Sequence, residues 1–178
     1  MILSNVQLPN QSKKLLLFQL ENSDVGQDYV AWLNDPAVNQ YLESRFDNHT
    51  TDSIKRFVAS MNESKTDLLL GIRDIANDKH VGNIKLGLIN KHHRTAEVAI
   101  MIGDKSVWGK GLAAEAIRLV IDLARELGLR KLTAGCYLSN TGSKRAFEKN
   151  GFEVEGIRTA QVLLNNRAED VMLLGLIL

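Results

Sequence analysis

The stretch Trp108-Gly109-Lys110-Gly111-Leu112-Ala113-Ala114-Glu115 decides how this chain is read, because it joins a strand-like segment to the most regular helical pattern in the sequence. Ala113, Ala116, Ile117, Val120, Leu123, Ala124 and Leu127 fall on one helical face, while Glu115, Arg118, Asp122 and Arg125 fall elsewhere. The spacing predicts a helix from about Leu112 to Leu127, closed by Gly128 at the C′ position. A helix opens with about four backbone N–H groups that lack an intrahelical partner and normally want a Ser, Thr, Asp or Asn cap. Here Gly111 stands at the cap position, and the first side-chain acceptor downstream is Glu115. The helix dipole adds about half a positive charge at that end, so a phosphate or pyrophosphate satisfies such donors, with Lys110 adding charge. A plain glycine turn before a helix fits the same residues.

Three phosphate-binding classes compete for this loop. A Walker A motif requires Ser or Thr after the lysine, and Lys110 is followed by Gly111. A dinucleotide fingerprint is formally present as Gly109-x-Gly111-x-x-Ala114, but it calls for a carboxylate roughly 20 residues on, at the tip of the next strand. That strand ends in Leu138-Ser139-Asn140 instead. The strand before the loop alternates Val98, Ile100 and Ile102 with Ala99 and Met101, unlike a parallel strand buried on both faces. The third class is acetyl-CoA binding, and it rests on a resemblance carried by motifs along the whole chain.

Outward from the loop, the chain reads as a succession of strands and helices. Lys14 to Leu20 is a strand-length apolar run. Asp24 reads as the N-cap of a helix carrying Val25, Tyr29, Trp32 and Leu33 and ending before Pro36. Ile54, Phe57, Val58 and Met61 mark a second helix from Thr51 or Asp52. Leu68 to Ile75 and Val81 to Ile89 read as paired strands around the turn Asn77-Asp78-Lys79. After the long helix come a strand from Leu129 to Leu138 and a short helix from Thr141 to Lys149, stopped by Asn150-Gly151. Two final strands, about Phe152 to Thr159 and Asp170 to Ile177, flank the polar Asn165-Asn166-Arg167. This order suits an α+β domain around a mixed sheet.

Composition narrows the function. The 178 residues carry 22 Lys+Arg against 21 Asp+Glu, so no global field draws the chain to nucleic acid or to an anionic membrane. The length suits one domain, 1–178, with its core over about residues 13–178, and no linker or repeat divides it. One cysteine, Cys136, forms no internal disulfide. No apolar run approaches the roughly 20 residues that span a bilayer, and Met1 to Asn10 lacks the features of a signal peptide. A cytoplasmic location and a monomer or homodimer are expected.

In order along the chain, a set of short motifs resembles the GNAT acyltransferases, and within them the Rim-type enzymes that acetylate ribosomal-protein N-termini. Trp32-Leu33-Asn34-Asp35-Pro36-x-Val38 is similar to that group's early segment, and Ala96-Glu97-Val98 with Ile100-x-Ile102-Gly103 to its fourth-strand motif. Trp108 to Ala116 resembles its pyrophosphate loop and helix. Leu127-Gly128-Leu129-Arg130-Lys131-Leu132, Asn140-x-x-Ser143, Phe147 to Phe152 and Glu155-Gly156 continue the likeness over nearly all of Lys13 to Leu178. The chain departs from the wider family at Ser106, where a Gln or Arg opens the loop motif.

The resemblance implies a GNAT-like, mostly antiparallel mixed sheet of about seven strands flanked by helices. Two neighbouring strands splay, and the pantetheine arm of acetyl-CoA lies between them. Ile100 to Ile102 then forms one wall of that gap and Cys136 to Leu138 the other. It places the cofactor against Ile100, Ile102, Val107, Trp108, Gly109, Lys110, Gly111, Leu112, Ala113, Asn140, Ser143 and Phe147. The implied activity is acetyl transfer to a primary amine, most simply a protein or peptide N-terminus.

That chemistry needs a held thioester, an uncharged amine, stabilisation of the oxyanion and a proton for the leaving thiolate. Glu97, the carboxylate on its strand, is the candidate base, directly or through a water; a solvated residue paired with Arg94 or Lys85 is the alternative. By resemblance Asn140 hydrogen-bonds the pantetheine arm and Ser143 protonates the thiolate, although Asn140 also suits a helix cap and Ser143 a first-turn helix residue. The tyrosine that other GNAT enzymes use seven residues after the Asn is replaced by Phe147, which suits packing on the arm.

His49, His80, His92 and His93 lack metal-site spacing, so no metal is expected. His92-His93 fits a polar turn, Cys136 a small buried strand residue, and Tyr41 and Phe46 an acceptor pocket. Tyr29 and Trp32 fit the helix core better than a pocket. A peptide acceptor predicts a groove between the early helices and the last hairpin. An amino sugar nucleotide predicts an anion pocket at Arg45, His49, Arg73 or Arg94, and a non-catalytic acyl-CoA-binding module keeps only the cofactor cleft.

Overall fold

The computed structural model describes residue 8 and residues 10–178, so the reading of the amino-terminal stretch as leaderless falls largely on residues outside the described ones. The strands are β1 (Asn10–Gln11), β2 (Leu15–Gln19), β3 (Leu68–Asp74), β4 (Lys79–Asn90), β5 (Thr95–Ile102), β6 (Lys131–Tyr137), β7 (Glu153–Leu164) and β8 (Arg167–Ile177). The helices are α1 (Gln27–Asn34), α2 (Pro36–Asn39), α3 (Thr51–Glu63), α4 (Leu112–Glu126) and α5 (Thr141–Glu148). The strands make one eight-stranded sheet in the order β1-β2-β3-β4-β5-β6-β8-β7. Every neighbouring pair is antiparallel except β5 and β6, which run parallel. The strand beyond the expected seven is the two-residue β1, too short to leave a pattern in the sequence.

Alternation along the strands divides the apolar side chains between two faces. Leu68, Leu70 and Ile72 of β3 join Leu15 and Leu17 of β2 in the core under α4 and α5. Leu69, on the opposite face, joins Tyr29, Trp32, Ile54 and Val58 beneath α1 and α3. From α4 alone, Ile117, Leu119, Val120, Ile121 and Leu123 are buried. Fully burying each such side chain is worth about 1.5–3 kcal/mol, so this helix is a principal contributor to the core. It ends in a Schellman motif, with Leu129 N donating to Ala124 O at 3.0 Å and Gly128 N to Arg125 O at 2.9 Å, Gly128 having φ 70°.

Three expectations change. Gly26, not Asp24, stands at the start of α1; the Asp24 carboxylate accepts from Glu21 N at 2.8 Å within the short 3₁₀ turn Asn22–Asp24. Phe57 is exposed on α3, whose core face is Ile54 and Val58, and Thr50 caps the helix. The last two strands are longer than expected: only Asn165 and Asn166, with φ of 51° and 61°, form the turn, and the polar residues Arg167 to Glu169 belong to an exposed strand end.

On the α1 face, the His80 ring packs edge-on against Phe18, Tyr29 and Trp32, with centroids 5.5, 5.8 and 5.1 Å away. Its Nε2 lies 2.9 Å from both Gly82 O and Asn83 Oδ1. Desolvation by burial holds its pKa below the ordinary 6.5. The unfolded chain therefore binds this proton more readily, and the stability His80 contributes is complete above pH 6.5 and lost as pH falls through the lower folded value. Thermal melts between about pH 7 and pH 5 should show a steeper fall in Tm for the wild type than for His80→Gln, which carries no titrating ring; parallel curves would remove His80 from the acid response.

Candidate active site

The site begins where two parallel strands stop pairing. β5 and β6 are in register only from Thr95↔Lys131 to Glu97↔Thr133. Beyond that point β5 stays with β4 as far as Ile102↔Gly82, and β6 stays with β8 as far as Tyr137↔Val171. A register shift in β4 between Gly87 and Asn90, with Leu88 at φ 51°, lies across from the last paired stretch of β5. Bulges of this kind kink a strand and increase its local twist, and the pairing of β5 with β6 ends at Glu97, across from this one. A cavity of about 890 Å³ opens between the parted strands.

One end of this cavity is closed by α4 and α5. Gly109 and Gly111 have φ of 75° and 82°, the left-handed region that glycine enters without penalty, and a Cβ at either would face open space. No side chain caps α4. Glu115 N donates to Gly111 O, whereas the amides of Gly111, Leu112, Ala113 and Ala114 find no acceptor among the described residues. The Trp108 indole Nε1 donates to Ile102 O at 2.8 Å and so fixes the loop to the end of β5. Val107 and Leu112 turn their side chains into the core, leaving only their backbone for a ligand. Ser106, the departure from the family pattern, donates its amide to Asp104 Oδ1 at 2.8 Å, and its hydroxyl helps hold the Asp104 carboxyl below its usual range.

Asn140 Oδ1 accepts from Ser143 N at 3.1 Å, so Asn140 does cap α5. Its Nδ2 and the Ser143 Oγ have no protein partner among the described residues, and both residues line the cavity. Phe147 lines it as well, backed by the Phe152 ring at 5.0 Å. The first turn of α4 is tied to the last turn of α5 by Asn150 Nδ2, which donates to Ala114 O and Ala146 O, both at 2.9 Å. Cys136 also lines the cavity; burial pushes its thiol pKa up, so it is a neutral wall rather than a nucleophile.

Glu97, Ile100, Ile102, Trp108, Ala113, Asn140, Ser143 and Phe147 thus meet around one cavity. Val107, Gly109, Lys110, Gly111 and Leu112, also expected at the cofactor, are not in its lining, although their neighbours Trp108 and Ala113 are. Glu97 is solvent-accessible where the pairing ends, and no ion pair holds it among the described residues; Lys85 reaches Asp67 instead, at 3.8 Å.

The other end of the cavity lies between the segment Ala37–Glu43 and the last hairpin, with Glu155, Arg158, Gln161 and Val162 on its far wall. Asp35 positions that segment: Oδ1 accepts from Ala37 N at 2.9 Å to cap α2, and Oδ2 receives Lys105 Nζ at 2.6 Å. The lysine hydrogen bond is the main reason its carboxyl pKa is lowered. Tyr41 lines this end as expected, whereas Phe46 points outward beneath the Arg45 guanidinium at 4.2 Å. Glu43, Arg158 and Gln161 were not singled out from the sequence, and Tyr137 only as part of a strand wall; their meeting depends on β8 and β7 pairing beside β6, which no local pattern records.

Arg45, His49, Arg73 and Arg94 do not assemble into an anion pocket. Arg45 donates to Leu42 O and Leu163 O, His49 Nε2 sits on Ser44 O, Arg73 pairs with Asp78, and none lines the cavity. His92 and His93 sit in the β4–β5 turn with both amides on Asn90 Oδ1. No group of three or more His, Cys, Asp or Glu is placed to hold a metal among the described residues, and no helix there is long and apolar enough to cross a membrane.

Comparison with known proteins accords with this geometry. The chain is 38% identical over 109 residues to the probable N-acetyltransferase YjcK of Bacillus subtilis, a stretch covering 60% of each protein. Its fold overlays that of the ribosomal α-N-protein acetyltransferase RimL in complex with coenzyme A, with a TM-score of 0.83 at 19% identity over 93% of this chain and 95% of that one. It overlays the spermidine N-acetyltransferase of Vibrio cholerae in complex with CoA and spermine equally well, with a TM-score of 0.82 at 24% identity over 93% and 96%. Residues 14–153 match the acetyltransferase (GNAT) domain, and on that match, with the parted strands and open helix start that accompany it, the chain belongs to the GNAT family.

Proposed function

We propose that the protein is an acetyl-CoA-dependent N-acetyltransferase whose acceptor is a primary amine, in the first place the N-terminal amine of a protein or peptide. The reading rests on four unsatisfied amides at the start of α4 opening beside the gap between β5 and β6. A diphosphate accounts for the amides, and an extended amide-bearing arm accounts for the unpaired strand edges. Acetyl-CoA, which has both groups, supplies an activated acyl thioester.

In this reading the backbone of Val107 to Ala113 holds the diphosphate, with Lys110 adding positive charge. Ile100 and Ile102 form one wall of the arm's channel and Cys136 and Tyr137 the other; Leu138, expected with them, lies outside the cavity lining. Asn140 donates through its free Nδ2 to the arm, and Phe147 packs against it. Glu97 takes the proton from the attacking amine nitrogen, directly or through a water. The C–N bond forms as the C–S bond breaks, and the thiolate is neutralised by a proton from Ser143 Oγ or from water.

The groove between Ala37–Glu43 and the last hairpin supports a peptide acceptor, because it leads an extended chain to Glu97 from the surface. A small amine is the second reading, supported by the same opening. An amino sugar nucleotide has less support, since its expected anion pocket does not form.

Gly111→Asp should weaken coenzyme A binding at least tenfold in calorimetry, because it sets a carboxylate against the diphosphate and fills the open side of the loop. Unchanged affinity in a variant with wild-type circular dichroism would end the diphosphate assignment. Glu97→Gln should lower kcat about 10²-fold in a thiol-release assay with little change in the KM for acetyl-CoA. Ser143→Ala should cost less than tenfold, because a thiolate leaves tolerably without an acid. Tight coenzyme A binding without thiol release across peptides and small amines would instead point to a non-catalytic acyl-CoA-binding module.

A further inference from the structure

The chain between α2 and α3 carries Tyr41, Leu42 and Glu43 across the acceptor end of the cavity, with Arg45 just outside its lining. The Tyr137 hydroxyl donates to Glu43 Oε1 at 2.6 Å. Arg45 Nη1 lies 3.6 Å from the same oxygen. Both contacts fall on Oε1, so Oε2 has no protein partner among the described residues, and the carboxylate is 74% exposed. Arg45 itself is committed elsewhere: it donates to Leu42 O at 2.8 Å and Leu163 O at 3.0 Å, lies over the Phe46 and Tyr137 rings, and is only 12% exposed. It fastens this segment to the last hairpin and leaves Glu43 facing the cavity.

Charge and shape at this end agree. The charged residues lining the cavity are three carboxylates, Glu43, Glu97 and Glu155, and one cation, Arg158. Lys131 neutralises Glu155 from outside the lining. Glu97 is committed, in the reading above, to the reacting nitrogen, which needs one carboxylate and not two. Beside Glu43, the Tyr41 ring stands edge-on to Tyr137 at 5.7 Å, giving an aromatic wall of the kind that attracts cations.

We propose that Glu43 is a specificity-determining residue: its carboxylate, fixed by Tyr137, receives a second positive charge on the acceptor. The preferred substrates are then amines bearing a further ammonium or guanidinium group beyond the nitrogen that is acetylated. The inference rests on the acetyltransferase reading and names the substrate class for the same site. Such a group occurs on a small diamine or on a peptide with a basic side chain after its N-terminus, and Glu43 reads the feature they share.

The test measures kcat/KM for the full chain with matched acceptors: 1,4-diaminobutane against butylamine, and Ala-Lys-Ala against Ala-Gln-Ala. The doubly charged member of at least one pair should be preferred by about tenfold, the scale of one charge-assisted contact, and the pair showing it identifies the source. The preference should weaken with added salt. Glu43→Gln should bring the ratio close to one, and Glu43→Lys should invert it in favour of Ala-Glu-Ala over Ala-Lys-Ala, an outcome that mere loss of structure does not produce. Equal turnover of both members of each pair by the wild type, or a ratio that survives Glu43→Gln, overturns the inference and leaves the transferase standing. No thiol release with any of these acceptors also overturns it. Failure of coenzyme A to bind at all identifies the transferase reading as the part that failed.

Discussion

A buried strand that loses its neighbour must find other partners for its amides and carbonyls, or bear the cost of leaving them bare. The parting of β5 and β6 after Glu97 sets this condition at the centre of the sheet. Most of the site follows from it. The exposed edges give an extended ligand somewhere to lie, and in the proposed function the cofactor and the acceptor enter the gap from different ends. Glu97, across from the β4 register shift, lines the cavity where the pairing of β5 with β6 stops.

The two ends are held by different physics. At the cofactor end, rigidity comes from apolar burial along α4 and from Asn150, whose amide joins the first turn of α4 to α5. The open donors there are backbone groups, fixed by the helix itself, so side-chain identity in the loop matters little to them. At the other end of the cavity the lining comes from irregular chain, where Glu43 is held by Tyr137 and the neighbouring Arg45 by Leu163, contacts distant in sequence. Such a surface can change its chemistry without disturbing the fold, and the fold itself is shared with RimL and with a spermidine N-acetyltransferase.

What could be read from the sequence divides along the same line. Helix α4 was legible almost to the residue, because a 3.6-residue stripe, an uncapped start and a C′ glycine are all local signals. So were β3 to β6 and the short helix after Asn140, each within a few residues. Asp24 misled because a carboxylate that closes its own short turn looks, in sequence, the same as one that caps a helix. The last strands ran beyond their apolar stretch because a hairpin edge needs no buried face to continue pairing. Glu43 carried no signal at all, and Tyr137 none beyond its place on a wall of the gap: they are 94 positions apart, and only the folded chain makes them neighbours.

The strand order has one more consequence, for how the molecule comes into being. β8 follows every other described strand in the chain, yet it lies inside the sheet, with β6 on one side and β7 on the other. Until β8 has been synthesised, one flank of β6, a wall of the cavity, therefore lacks its partner. Non-local pairing of this sort is slow and leaves unpaired strand edges open to misassociation. The cleft consequently takes shape only once β8 has inserted between its two neighbours.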